Sequence, residues 1–165
     1  MTRVSLILCA VLTLSAVAVS QQKPADSAAV PPREAFDPQR DAEKDIHEAT
    51  VEAAHTGRRI LLDVGGEWCI WCKRLDAFFG SHPKASELLH ANFVVVKVNY
   101  SKENKNEKVL AGFPKIPGYP HFFVLDAAGT LILSQDTGLL EEGKGYSESK
   151  IMTFLAQWTP AKNAR

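Results

Sequence analysis

The residues best able to do chemistry in this chain are two cysteines, Cys69 and Cys72, in the stretch GGEWCIWCKRL at 65–75. A C-x-x-C pair suits three chemistries: a reversible dithiol, half of a tetrahedral metal site, or a covalent staple. A staple here would close so short a loop that it constrains the unfolded chain by only about 2 kcal/mol. Zinc wants four ligands, and the sequence holds no second C-x-x-C. His82 and His121 are available to complete a copper or zinc site, though neither stands at a recognised spacing from the pair. Covalent haem attachment would need histidine directly after the second cysteine, where Lys73 stands. Thiol–disulfide exchange is the reading these surroundings favour, and a metal-handling binding module is its alternative.

Two further residues bear on the choice. Asp63 interrupts the apolar run ILLDV six residues before Cys69. A carboxylate buried there would be held protonated more readily by desolvation and could relay the proton of Cys72. The alternative is a strand-end aspartate that reaches water or caps a turn. Pro120, within PGYPHFFVL, opens an apolar strand at a point where no ladder N–H is needed. It is either a cis proline after an aromatic residue or a turn proline that begins a hairpin.

These residues must be positioned by the elements around them. Asp37-Pro38 resembles a helix N-cap with proline at the first helical position, and Ala42, Ile46, Ala49 and Ala53 form one apolar stripe, so a helix is expected over 38–56. RILLDVGG then predicts a buried strand at 59–64 that runs into the cysteines. A helix follows over 70–79, with Leu75, Phe78 and Phe79 on one face, and a second begins at Pro83. NFVVVKVNY is a β-branched strand, KENKNEKVLAGF a short polar helix, and HFFVLDAAGTLILSQ a hairpin turning at Gly129. Ile151, Phe154, Leu155 and Trp158 have the spacing of a closing amphipathic helix. Strands interleaved with helices imply an α/β sheet covered on both faces, with an antiparallel hairpin at one edge.

That placement has a chemical consequence. Cys69 falls at a helix N-terminus, where free N–H groups and the helix dipole stabilise a thiolate. Cys72, one turn later, faces inward. An exposed attacker and a buried resolver are what dithiol exchange requires.

The ends of the chain read differently. Arg3 precedes VSLILCAVLTLSAVAV, sixteen uncharged residues, and Ala18 and Ser20 follow the small-x-small pattern of a signal peptidase site. The expected organisation is a signal peptide at 1–20, a flexible tether at 21–36 and one domain at 37–160. The alternative for the first segment is an uncleaved membrane anchor, and membrane association is expected only in that case. Cleavage would remove Cys9 and leave Cys69 and Cys72 in a secreted, periplasmic setting where disulfides persist. With 19 basic and 19 acidic residues, the charge gives no case for nucleic acid.

Taken together, Trp68, Cys69, Ile70, Trp71, Cys72 and Lys73, with Asp63, Glu67, Pro120 and the Gly129 hairpin, resemble the thioredoxin superfamily. The pattern is most similar to secreted bacterial thioredoxin-like proteins with a WC-x-WC-K motif. This resemblance implies a thioredoxin-like fold, a central mixed four-stranded sheet flanked by helices, here with an extra N-terminal helix. It also implies that Pro120 is cis beside the cysteines and that the backbone of Tyr119 pairs with an extended substrate segment. The catalytic residues are then Cys69, Cys72 and Asp63, and the substrate-binding residues Trp68, Ile70, Trp71, Tyr119 and Pro120. No cofactor is implied beyond the dithiol. The implied partners are protein thiol or disulfide substrates and a redox partner that recycles the pair.

Departures from the pattern are as informative. Ile70 and Trp71 replace the usual Gly-Pro and are expected to be exposed to a partner. Gly65 and Gly66 stand where thioredoxin carries an aromatic and a small residue. With no histidine between the cysteines, the lean is towards a reductant or exchange role. GLLEEGKGYSESK, before the last helix, is expected to be a solvated loop, with a partner surface shaped by its glycines and glutamates as the alternative.

Overall fold

The structure is a computed structural model that describes residues 35–161. The signal peptide and most of the tether expected from the sequence lie outside the described residues. The elements, in order, are α1 (Ala42–Thr56), β1 (Arg59–Gly65), α2 (Ile70–Ser81), α3 (Pro83–Asn92), β2 (Phe93–Asn99) and α4 (Glu107–Leu110). They continue with β3 (His121–Leu125), β4 (Leu131–Asp136), β5 (Glu141–Glu142), β6 (Gly145–Tyr146) and α5 (Glu148–Gln157).

Four strands form one mixed sheet in the order β2-β1-β3-β4. β1 and β2 are parallel, with Asp63 opposite Lys97, and β3 runs antiparallel to β1, with Val64 opposite His121. β3 and β4 are the expected hairpin. Its turn is held by Asp126, whose Oδ1 accepts the N–H groups of Ala128 and Thr130, and by Gly129 at φ 84°.

Alternation along the strands sorts side chains onto two faces. Ile60, Leu62 and Val64, with Val94, Val96, Val98, Phe123 and Leu125, pack beneath α1. Leu61, Phe93, Phe122 and Val124 face the other way, against α2, α3 and α5. Asp63 and Lys97 belong to this second face by the same alternation.

Several expectations about element boundaries need correction. α1 begins at Ala42 rather than at 38, and its N-cap is Asp41, whose Oδ1 accepts from Glu43 N and Lys44 N at 3.0 and 3.2 Å. Asp37 instead closes a separate turn by accepting from Gln39 N at 2.8 Å. Either aspartate satisfies a cap pattern. Asp41 is followed directly by Ala42, the first buried residue of the apolar stripe, so packing chooses between them. The polar helix over 102–113 shrinks to the four residues of α4. Asparagines hold the preceding chain as a loop: Asn99 Nδ2 donates to Asn104 O, and Asn106, at φ 47°, returns Nδ2 to Asn99 O. Trp158 lies just past the end of α5, where its carbonyl accepts from Arg59 Nη1 at 2.8 Å. The segment 138–150 is not a solvated loop. It contains the β5–β6 hairpin, and Tyr146 packs on α2 through Phe78 and Trp71.

Candidate redox site

β1 delivers the chain to Gly65 and Gly66, and Cys69 then caps α2, its Sγ accepting from Cys72 N at 3.0 Å. Cys69 and Cys72 are joined as a disulfide, with Cα atoms 5.2 Å apart. The N-terminal end of α2 thus turns the N–H of Cys72 onto the sulfur of Cys69, where the helix dipole favours negative charge. The expectation of an exposed Cys69 is corrected: it is 4% exposed and Cys72 0%. The reason is packing, because Phe36, Trp71 and Tyr119 close around the pair.

The residues expected to meet a partner divide into two groups. Trp68 and Ile70 stand out at 59% and 58% exposure. Trp68 is nevertheless fixed, since its Nε1 donates to Tyr100 O at 2.7 Å and its ring meets the edge of Tyr119. Tyr119 in turn stacks on Tyr100 at 4.8 Å. Burial, with the Tyr100 hydroxyl beside it, pushes the Tyr119 phenol up to about 12, so it stays protonated at neutral pH. Trp71 departs from expectation. It is half-buried, with the Arg74 guanidinium 4.4 Å from its ring centroid and Tyr146 in a T-shaped contact with it. The Tyr119–Pro120 peptide bond is cis, and the Pro120 carbonyl accepts from Thr137 Oγ1.

Asp63 has company that its neighbours in sequence do not reveal. Its Oδ2 lies 2.9 Å from Lys97 Nζ, and the same ammonium bonds Asp76 Oδ1. All three side chains are largely buried, at 5%, 8% and 11% exposure for Asp63, Lys97 and Asp76. Burial acts to lower the Lys97 pKa, but the two carboxylates outweigh it and raise the ammonium above its ordinary value. Asp63 is thus one member of a buried carboxylate–ammonium–carboxylate cluster rather than a lone desolvated acid. Asp76 sits one turn beyond Cys72 on α2, which brings the cluster to the inner side of the disulfide.

Glycine is required at both positions of the strand exit. A Cβ on Gly65 would lie 2.6 Å from Cys72 Sγ and 3.0 Å from Phe36 Cζ. One on Gly66 would lie 2.5 Å from Trp68 Nε1 and 2.9 Å from the Tyr100 carbonyl.

The two histidines considered as metal ligands are placed away from the pair. His82 caps the far end of α2, about 20 Å along the helix axis from Cys69, and stacks on Phe78. His121 lies on the α1 face of the sheet, where its Nε2 meets Ser134 Oγ at 2.8 Å. Among the described residues no group of three or more His, Cys, Asp or Glu side chains is arranged to hold a metal ion.

Sequence reasoning missed Lys97, Asp76, Phe36, Tyr100 and Tyr146. Lys97 carried a signal, since it interrupts FVVVKVN as Asp63 interrupts ILLDV. Asp76 carried a weaker one, four residues after Cys72 on the inward helix face. Phe36 and Tyr146 come from segments read as tether and loop, and nothing local marked them.

Comparison with known proteins now bears on this geometry. A family model described as thioredoxin-like matches residues 41–127, more than half of the chain. The chain belongs to the thioredoxin-like family. A thiol:disulfide interchange protein DsbD from Pseudomonas sp. is 28% identical over 114 residues, which is 68% of this chain and 18% of that protein. The DsbD of Escherichia coli K12 is 26% identical over 85 residues, 52% of this chain and 14% of its own length. The chain therefore spans less than a fifth of these relatives. Among solved structures, a disulphide isomerase from Xylella fastidiosa Temecula1 superposes with a TM-score of 0.66 at 24% identity, over 77% of this chain and 98% of that one. The oxidised C-terminal domain of Neisseria meningitidis DsbD superposes at 0.53 and 17% identity, over 72% and 96%. The Cys69–Cys72 pair thus lies at the strand-to-helix junction of a thioredoxin-like fold.

Proposed function

We propose that this protein is a thiol–disulfide oxidoreductase, working as a reductase or exchange protein on protein disulfides outside the cytoplasm. The observation that carries the reading is the Cys69–Cys72 disulfide at the N-terminus of α2, flanked by the exposed Trp68 and Ile70. In the reducing direction the Cys69 thiolate attacks one sulfur of a partner disulfide and releases the partner's other sulfur as a thiolate. The Cys72 thiolate then attacks Cys69 Sγ, which forms the Cys69–Cys72 bond and releases the second partner thiolate. Two electrons pass to the partner, and a second redox partner returns them to the pair. The dithiol carries the electrons itself, with no added cofactor.

Asp63 takes or supplies the proton of Cys72 as one member of the cluster with Lys97 and Asp76. Tyr119 and Pro120 align the extended partner segment beside Trp68 and Ile70, while Trp71 shapes the floor from its half-buried position. An extracytoplasmic site of action is supported by the leader-like sequence at 1–20 and by the similarity to the thiol:disulfide interchange protein DsbD.

The test is a trapping experiment. A Cys72→Ser variant should accumulate mixed disulfides through Cys69 with extracytoplasmic proteins, and a Cys69→Ser variant should not. No mixed disulfide with Cys72→Ser overturns the reading. The equilibrium with glutathione then sets the direction, since about 30 mV corresponds to 1.4 kcal/mol for this two-electron couple.

A further inference from the structure

Phe36 stands at the last position of the expected tether, yet it is 1% exposed and forms one apolar cluster with Cys69 and Cys72. Its Cζ and Cys72 Sγ crowd the same point beside Gly65, where a side chain would otherwise project. Its ring face is engaged too, with Lys97 Nζ 4.3 Å from the ring centroid. A single phenylalanine thus covers both the buried sulfur and the ammonium that holds Asp63 and Asp76.

The segment carrying Phe36 is fastened at both sides of the site. Phe36 N donates to Glu67 Oε1 at 3.0 Å, just before the Trp68–Cys69 junction. Pro38 O accepts from Asn104 Nδ2 at 3.0 Å, in the loop after β2. These bonds tie the strap to the strand-exit loop of β1 and to the loop that follows β2. Phe36 also precedes the residues matched by the family model, which begin at 41. The strap puts an aromatic ring at the strand exit, where Gly65 supplies none.

We propose that Phe36 is a positioning residue of the redox site, closing the inner side of the Cys69–Cys72 pair and holding Lys97 against Asp63 and Asp76. In the reduced protein its ring keeps soluble reagents from Cys72, so that the sulfur within reach of Cys72 is that of Cys69. Removing the ring opens a water-filled gap beside Cys72 and frees the ammonium to turn outward. The inference takes its meaning from the exchange reading above, but its test concerns the cysteines alone.

The test measures iodoacetamide labelling of Cys72 in the full-length reduced protein, located by peptide mass, together with the equilibrium of the pair against glutathione. Phe36→Ala should raise Cys72 labelling about tenfold or more and shift the glutathione equilibrium about threefold or more. Leu62→Ala, on the opposite face of the sheet, is the control for lost stability and should leave both readouts within about twofold. Labelling and equilibrium both unchanged in folded Phe36→Ala overturn the proposal, as does an equal rise in the control. If Phe36→Ala does not fold, Phe36→Leu decides: it keeps most of the volume without the ring face and should still raise labelling about twofold or more. An unchanged rate in Phe36→Leu then overturns the proposal. A wild-type protein that exchanges with no partner disulfide would sink the exchange reading, yet would leave these labelling results interpretable.

Discussion

The two faces of the central sheet are made by alternate residues of the same strands, and they do different work. Beneath α1, β1 and β2 contribute only Ile60, Leu62, Val64, Val94, Val96 and Val98 to a packed apolar layer. On the other face the same strands contribute Leu61, Phe93 and the half-buried Val95, and then Asp63 and Lys97 at the end nearest the disulfide. A period of two therefore lets one strand hold a dry core and a charged cluster a few ångströms apart. The first face stabilises the fold. The second accepts the cost of buried charge, which pairing offsets only in part, and places that charge beside the cysteines.

The sharpest way to break this division is Lys97→Met. It leaves two buried carboxylates without their shared cation, and the expected loss in denaturant stability is about 3–5 kcal/mol. Leu62→Ala, on the apolar face, should cost about 2–5 kcal/mol by opening a cavity. The two are separated by the glutathione equilibrium of the disulfide, which should move in Lys97→Met and hold in Leu62→Ala. Equal behaviour of the two variants would remove the distinction between the faces.

A smaller effect is expected where the charged face meets the sulfur. Gly65→Ala pushes a methyl group against Cys72 Sγ and Phe36, and overpacking of this kind costs about 1–3 kcal/mol. Urea titrations of the oxidised and reduced forms should show the larger loss in the oxidised form, in which Cys72 is held in the disulfide.

Smaller again is Asp41→Ala, which removes the cap of the helix on the apolar face and should cost about 0.5–2 kcal/mol in thermal stability. Asp37→Ala should cost less, because Asp37 caps only a turn. The reverse order would show that the helix starts where the sequence alone suggested.

Acid sharpens the contrast from the apolar side, through the one histidine that the strands place there. His121 is 2% exposed, and burial lowers its pKa below the ordinary 6.5, with Asp136 opposing the shift. Among the described residues its Nδ1 has no hydrogen-bond partner. The folded protein thus holds it neutral while the unfolded chain protonates near 6.5, so its contribution is present above that pH and lost as pH falls below it. Stability measured from pH 7.5 to 5 should therefore decline, and His121→Asn should flatten the decline. An unchanged slope in the variant would assign the effect to other groups, His90 among them, whose pKa burial and Arg58 also lower.

Much of this was legible in the chain. The β-branched run at 93–99, the interrupted run at 59–65 and the Asp-x-x-Gly turn of the hairpin specify strands and their order through local pattern. The C-x-x-C spacing after a strand placed Cys69 at a helix N-terminus. What local pattern could not supply was company. Asp63 looks alone until parallel register sets Lys97 opposite it and α2 brings Asp76 down on both. Trp71 looks exposed until the hairpin at 141–146 carries Tyr146 onto it.

The sequence by itself determined the four strands of the central sheet, the longer helices, their order and the cysteine pair, because periodicity, capping and turn chemistry act over a few residues. The tertiary structure alone decided what surrounds the pair. Phe36 reaches Cys72 across 36 positions and Lys97 reaches Asp63 across 34, by contacts that exist only once the sheet is assembled. Whether a charge in an apolar run is paired, and whether a tether residue is buried, depends on which distant residue the fold sets beside it.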